Sequence, residues 1–419
     1  MRRCSMMCVV LSWGGGGVAA GAEPGLTRVE MVCVDAEATG YATFQSHNQK
    51  VVSNRHGIFM THIRSRNEKY TAQQWRLSRS VDGGKHFSVV YEATHATNPA
   101  AIETDEEGNV YLARPDFADG HAYLYRFLAK DGFGKPIVTK IPGGSAGKYC
   151  LMYDRARKQL YYFAHNNTFH VIGLDGKVRR RVNLLQAGKH AVLQYPLLSL
   201  ARDGVLHAAW TTQKHGVYLY WDIHHMVSAD GGQSWANMGG GALDLPVVAD
   251  DGGAARRITL DDEFEAHTWL SNLMAKDGGV HFLYMAQTKP AREHYIRYDA
   301  KTGKEAVRIS PAFRGEGISL LGLSGFFAAS ATGWGRLYCV GNSGGRIGCL
   351  ASDDNGKTWY DYAVSEKVTN PYSIGGCRAV TADGYVIGSF TDQVASTADL
   401  SGKCRVYFFR IRAGLSGAR

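Results

Sequence analysis

The sequence predicts an all-β fold, a single seven-bladed β-propeller, and three observations predict it. Apolar alternation after a Gly or Asp-Gly turn recurs seven times along the chain. An Asp-centred turn motif recurs three times in step with it. Composition agrees: 50 glycines against 10 prolines, with 22 tyrosines and 16 phenylalanines, supply tight turns between aromatic strands. The length of 419 residues suits one large all-β domain as well as two or three average ones.

The N-terminus reads MRRCSMMCVVLSWGGGGVAAGAEPG, with two arginines, a short apolar core from Met6 to Trp13 and a small-residue site at Ala20-Gly21-Ala22. This is the pattern of a secretory signal over residues 1–22, leaving 23–419 as the propeller. The apolar core is too short to span a membrane as a helix, and no later segment has the ~20 apolar residues a span needs. A periplasmic or secreted location follows. Removing the signal takes Cys4 and Cys8 with it and leaves Cys33, Cys150, Cys339, Cys349, Cys377 and Cys404, an even number in an oxidising compartment. Disulfides and buried free thiols both stay open, since several of these cysteines sit in apolar strand-like runs. Their spacing matches no zinc pattern, and no EF-hand loop is present, so no metal or other cofactor is expected.

The seven marker strands are HGIFMTHI from His56, EGNVYLAR from Glu107, RKQLYYFAH from Arg157, DGVLHAAW from Asp203, DGGVHFLYM from Asp277, GRLYCVG from Gly335 and DGYVIGSF from Asp383. Taken at Ile58, Val110, Leu160, Val205, Val280, Leu337 and Val386, they are 52, 50, 45, 75, 57 and 49 residues apart. Steps of about 40 to 50 residues holding several short strands are what propeller blades require. The early strand RVEMVCV and the late strand CRVYFFRIR are expected to share a blade and remove the exposed edges. The long 75-residue step contains GGGALDLPVVADDGGAAR, read as a surface loop.

The second motif is Ser-x-Asp-x-Gly followed by Trp or Phe. It stands at Ser80–Phe87, Ser228–Trp235 and Ser352–Trp359 and falls 17 to 25 residues after a marker, where the turn between the third and fourth strands belongs. These copies resemble the Asp-box, or BNR, hairpin of sialidase-like propellers, in which the Asp accepts turn N–H bonds, Gly takes a positive φ and the aromatic plugs the blade. They argue for the fold and say almost nothing about activity. A sialidase itself is disfavoured, because Lys140-Ile141-Pro142 and Arg308-Ile309-Ser310 break the Arg-Ile-Pro pattern that introduces its arginine cluster.

A net charge of +9 invites an anionic partner. The basic residues are scattered apart from Arg179-Arg180-Arg181, and no nucleic-acid-binding signature accompanies them, so an acidic plant or algal polysaccharide suits the charge better than nucleic acid. A monomer is expected.

Over nearly its whole length the chain resembles the BNR_4 group of propellers, which includes ulvan and rhamnose-glucuronate lyases and the rhamnosidases of glycoside hydrolase family 145. SHNQKVV at Ser46–Val52, HATNPAAIETDEEGNVYLA from His95 and KYCLMYDRARKQLYYF around Tyr149 carry the resemblance. The lyases imply a His and a Tyr that move protons at C5, matching His95 and Tyr149, beside an Arg or second His that holds the uronate carboxylate. Two positions depart from that pattern: Arg114-Pro115-Asp116 stands where the second His belongs, and His165 where the Arg belongs, with His121 or His165 as substitutes.

The rhamnosidases imply a site on the opposite face with one essential His, which His47 matches. As a strand, SHNQK would point His47 and Gln49 to one face and Ser46, Asn48 and Lys50 to the other, setting an imidazole beside an amide. The resemblance then implies removal of terminal L-rhamnose α-1,4-linked to D-glucuronate on arabinogalactan-type glycans. His47 would be catalytic, with Asn48, Gln49 and Lys50 binding substrate and Arg55 and Arg64 nearby. Three readings stay open: hydrolase, uronate lyase, and a non-catalytic glycan-binding propeller using Trp75, Trp221 and Trp269 for stacking. The structural alternative is a satisfied polar His47 in an inner strand, with Asn48 and Gln49 bridging neighbouring blades.

Overall fold

A computed structural model describes residues 25–45, 47–67, 73–94, 98–165, 167–188, 191–214, 220–250, 253–263, 266–310, 321–330, 335–392 and 403–414, with the backbone alone at 191–194, 214 and 321–324. The proposed signal at 1–22, Ser46 and His95 lie outside the described residues. Among the described residues regular structure is strand, apart from two 3-10 turns at Ala129–Asp131 and Asp261–Glu263.

Successive strands pair antiparallel in runs. The first is Val51–Asn54, Gly57–Ser65, Gln73–Ser80 and Ser88–Thr94. The second is Ala101–Thr104, Val110–Asp116, His121–Phe127 and Ile137–Ile141. Tyr149–Asp154, Gln159–Ala164, Thr168–Gly173 and Val178–Asn183 make the third. Ala191–Leu200, Leu206–Lys214, Tyr220–Ser228 and Trp235–Ala236 make the fourth. The fifth is Thr268–Lys276, Gly279–Ala286, Arg292–Asp299 and Glu305–Ile309. The sixth is Leu321–Ala329, Leu337–Asn342, Ile347–Ser352 and Tyr360–Val364. Pro371–Gly376, Tyr385–Asp392 and Lys403–Arg412 form the last, whose fourth member is the N-terminal strand Thr27–Thr39. The expected union of the first and last strands is therefore present, with Val29 opposite Ile411 and Met31 opposite Phe409.

Each marker strand is the second strand of its run, as the turn chemistry dictates. At Gly204 and Gly384 the turn backbone adopts φ of 84° and 80°, a conformation that glycine takes without a Cβ penalty. Both faces of the sheets are covered, which is why a strand such as Gly279–Ala286 is buried at every position instead of alternating. The core lies between neighbouring runs: Tyr161, Phe163 and Phe169 of the third pack with Leu198, Trp210 and Trp235 of the fourth.

The three Asp-boxes sit between third and fourth strands, as expected. Asp230 Oδ1 accepts from the backbone N–H of Gln233 and Ser234 at 2.8 and 2.9 Å, while Ser228 Oγ accepts from Gly232 N at 2.7 Å. Asp82 and Asp354 repeat these bonds. Each box aromatic packs on the third strand of the preceding run: Phe87 on Phe408, Trp235 on Phe169 and Trp359 on Tyr295, with ring centroids 5.2, 5.6 and 5.2 Å apart.

Several expectations need correction. Residues 47–50 of SHNQK are no strand: Gln45 has φ of 63°, Asn48 N–H donates to Gln45 O at 2.9 Å, and regular pairing begins only at Val51. The Lys50 ammonium holds the turn by donating to Gln45 O and Asn48 O at 3.1 and 3.2 Å. The long fourth step is more than a surface loop. Leu243, Val247 and Ala249 join the core beside Trp210, and Val247 pairs with Leu185. Trp75 and Trp221 are core side chains, 0% and 4% exposed, so neither is placed to stack on a sugar. The six described cysteines are free thiols.

Candidate functional site

First strands of successive runs lie beside one another in chain order. The segments that lead into them therefore converge, and the turn containing His47 stitches four runs together there. Gln45 Nε2 donates to Gly147 O, Asn98 Nδ2 donates to the same carbonyl at 3.0 Å, and Asn48 Nδ2 donates to Tyr149 O. Gln49 Nε2 reaches Ile102 O at 3.1 Å, and its Oε1 accepts from Arg378 N at 3.0 Å. The ring of His47 meets Tyr195 edge to face at 5.6 Å. His47 and Tyr149 thus belong to one neighbourhood, where the resemblance implied opposite faces.

His47 is 8% exposed, and its Nε2 is buried without a hydrogen-bond partner among the described residues. Burial holds the imidazole neutral, with its pKa lowered to about 3, and the charges of Lys50 and Lys148 push the same way. Lys50 is fully enclosed, and desolvation brings its ammonium down to about 7. Lys148 is half-buried, its pKa lowered by burial, and its Nζ stands over the rings of Phe44 and Tyr195 at 5.6 and 5.3 Å. His165 Nδ1 accepts from Lys148 N at 3.0 Å; burial first, and then the Lys148 charge, lower its pKa. Among the described residues, the charged groups acting on His47 are the lysines, and no carboxylate is paired with Lys148.

Glu103, on the strand that Gln49 meets, accepts from Arg378 in a partly buried ion pair; burial raises its pKa and Arg378 opposes that rise.

Tyr149 is wholly buried and donates its hydroxyl to Pro99 O at 2.8 Å, while desolvation raises its pKa. In this geometry it is a blade aromatic. Arg55 lies elsewhere, donating to Glu107 O at 2.6 Å, and Arg64 faces Asp35 at 3.7 Å; neither reaches the His47 turn. Of the three tryptophans singled out, Trp269 alone belongs here, half-buried with its ring 5.9 Å from Tyr195. Sequence reading missed Lys148, Tyr195 and Tyr220. The GK pair ahead of Tyr149 and the Tyr195-Pro196 break in an otherwise strand-like run were the available signals.

The arrangement combines a neutral imidazole, a desolvated ammonium with no acid paired to it among the described residues, and aromatic rings. Such a set recognises an anion beside an apolar sugar face, and a neutral imidazole is ready to accept a proton.

No protein-family model and no curated protein matches the chain. Among solved structures it is similar to a polysaccharide lyase of family PL25, an ulvan lyase, at TM-score 0.61 and 12% identity over 90% of this chain and 95% of that one. A PL25 ulvan lyase bound to -[GlcA(1-4)Rha3S]- gives TM-score 0.62 and 11% identity with the same coverage. Polysaccharide lyase Uly1 gives 0.61 and 11% over 92% and 99%. At these identities the likeness is one of fold, and a sialidase-like propeller fold fits the chain. No helix of the described residues is long and apolar enough to cross a membrane.

Proposed function

We propose that the chain is a seven-bladed propeller and a glycan-degrading enzyme, a polysaccharide lyase that cleaves beside a uronate in a uronate–rhamnose polysaccharide of the ulvan type. One observation carries the reading: the charges acting on His47 are cationic, and among the described residues no acid is paired with Lys148. A lyase needs charge neutralisation at the substrate carboxylate and a neutral base for the adjacent carbon. A glycosidase normally needs two carboxyl groups about 5 to 10 Å apart, and here Glu103 is locked to Arg378. Removal of terminal rhamnose by His47 is accordingly the less supported reading.

In the proposed reaction Lys148 holds the uronate carboxylate, and the entering negative charge raises the basicity of His47. The Nε2 of His47 takes the proton from C5, and that C–H electron pair becomes the C4–C5 double bond. The C4–O bond breaks, and the departing oxygen takes up a proton, with His165 or water as its donor. Asn48, Gln49 and Lys50 hold the turn, since the Nδ2 of Asn48, the Nε2 of Gln49 and the Nζ of Lys50 already donate to backbone carbonyls. The secretory-type pattern over residues 1–22 supports a periplasmic or extracellular location for the proposed enzyme, and the net charge of +9 supports an acidic polysaccharide as its partner.

Incubation with ulvan and, separately, gum arabic tests the reading, following ultraviolet absorbance and free rhamnose for wild type and His47→Ala. Absorbance from ulvan that disappears in His47→Ala is the expected result. Free rhamnose without absorbance would overturn the lyase reading, and absorbance that survives His47→Ala would move the base elsewhere.

A further inference from the structure

The third Asp-box meets its neighbouring run differently from the other two, although its own bonds are the same. In the first and second boxes an arginine of the preceding run donates to the carbonyl of the residue after the Asp. Arg410 donates to Gly83 O, and Arg180 Nη2 to Gly231 O at 3.1 Å. In the third box that residue is Asn355, whose Nδ2 spans the gap by donating to Lys276 O and Asp277 O at 3.3 and 3.2 Å. Arg297 stands two residues beyond Tyr295, just as Arg410 stands two beyond Phe408. Yet the Arg297 guanidinium makes no hydrogen bond and no ion pair among the described residues.

A cavity of about 320 Å³ opens beside it, lined by Lys276, Asp277, Arg297, Asp353, Asp354 and Lys357. Lys276 closes the first strand of the fifth run, so the cavity lies at the end of the propeller opposite the His47 turn. Its acids are all answered. Asp277 pairs with Lys276, Asp353 pairs with Arg336 at 2.8 Å, and Asp354 accepts from the N–H of Lys357 and Thr358 at 2.9 Å. Asp299, two residues beyond Arg297, accepts from Thr302. Two cations are left over: half-buried Arg297 and exposed Lys357, whose ammonium has no partner among the described residues. Glycine at 279 makes room for the first, since a Cβ there would stand 2.7 Å from Arg297 Nε and 3.0 Å from His281 Nε2. Both nitrogens are buried without a hydrogen-bond partner among the described residues, and His281 is 0% exposed. In the tautomer whose Nδ1 accepts from the Tyr295 hydroxyl at 2.8 Å, His281 Nε2 carries the ring hydrogen. Buried donors without acceptors cost free energy that an arriving acceptor recovers.

We infer that Arg297 and Lys357 form a site for a tetrahedral oxyanion, a sulfate or phosphate group, on the face of the propeller remote from His47. The guanidinium fork matches two oxygens of such a group, and the second cation matches its double charge. Arg410 offers no such site at the first box, because Glu30 already pairs with it at 2.7 Å. The inference is independent of the lyase reading, since the cavity shares no residue with the His47 turn. A free ion and an ester on a larger molecule present the same chemistry to these two cations.

Calorimetry tests it without turnover. Sodium sulfate, sodium phosphate and glucose 6-sulfate are titrated, at constant ionic strength in chloride, into wild type, Arg297→Gln, Lys357→Gln and Lys148→Ala. Wild type is expected to bind sulfate and phosphate. Arg297→Gln should weaken both about tenfold and Lys357→Gln about threefold, with Lys148→Ala unchanged. Glucose 6-sulfate separates the sources: uptake with the same loss in Arg297→Gln supports a site for esters, and uptake of the inorganic ions alone supports a site for the free oxyanion. No uptake of either ion by wild type, equal affinity in wild type and Arg297→Gln, or a loss confined to Lys148→Ala would overturn the inference. Should Arg297→Gln fail to fold, the exposed Lys357→Gln carries the test, and an unchanged affinity there would overturn the site.

Discussion

The Asp-box hairpins and the His47 turn are both loops pinned by hydrogen bonds, but they are pinned differently. In each box a carboxylate and a hydroxyl answer the turn N–H groups within seven residues, and the pattern is repeated three times. The His47 turn draws on four runs of the chain and leaves His47 Nε2 without a partner among the described residues. It also encloses Lys50 with carbonyls instead of an acid. The boxes are consistent at every level and serve the fold, whereas the turn breaks the ordinary rules of polar burial, as sites that serve chemistry do.

Acid should separate the two most strongly. His47, His207 and His281 are buried, and desolvation brings their pKa values from 6.5 to about 3, 4 and 3. Below pH 6.5 the unfolded chain binds protons that the native fold refuses. Stability is therefore full above pH 6.5 and falls by roughly 1.4 kcal/mol per pH unit for each such histidine as the pH drops toward 4. In the box, burial would raise Asp230, but its bonds to Ser234 and Ser228 hold it at about 2, so that carboxylate outlasts the histidines. Urea melts from pH 7 to 4.5 should show this slope; a flat profile would contradict it.

Next in size is Arg378→Met, which strands Glu103 beside Gln49. Removing one partner of this partly buried pair costs up to about 3–5 kcal/mol, read as a lowered urea midpoint. Replacing Glu103 and Arg378 together by apolar residues should recover much of that loss. Smaller still is His47→Ala, expected to lower turnover at least about a hundredfold. A midpoint within 1 kcal/mol of wild type should accompany it, at the low end of what single substitutions cost. Smallest is Ser228→Ala in the second box, which should cost about 1 kcal/mol and leave turnover unchanged. Equal effects of the last two variants on turnover would erase the contrast between box and turn.

The outer architecture was legible because its signals are local. Asp-Gly turns, alternating apolar residues and the box spacing all act within ten residues, and the strands they announce are present, with Ile58 and Val386 falling in the second strands of their runs. The site was only partly legible. His47 and Trp269 were singled out, but SHNQK was read as a strand, since nothing local announces that Gln45 turns left-handed or that Lys50 folds back on Gln45 O. Lys148 and Tyr195 went unseen because their roles depend on neighbours about 100 to 150 residues away in sequence. Trp75 and Trp221 illustrate the same limit, since composition cannot tell a core ring from a stacking one.

The pairing of Thr27–Thr39 with Lys403–Arg412 has a consequence for biogenesis. During synthesis the first strand waits for a partner that leaves the ribosome almost 400 residues later, so its hydrogen-bonding edge stays open throughout. Translation products cut short before Lys403 would carry two unmatched edges, the template for chain-to-chain association. A cell making this protein therefore depends on finishing the chain, and truncated copies are expected to appear in inclusion bodies or to be cleared by proteases.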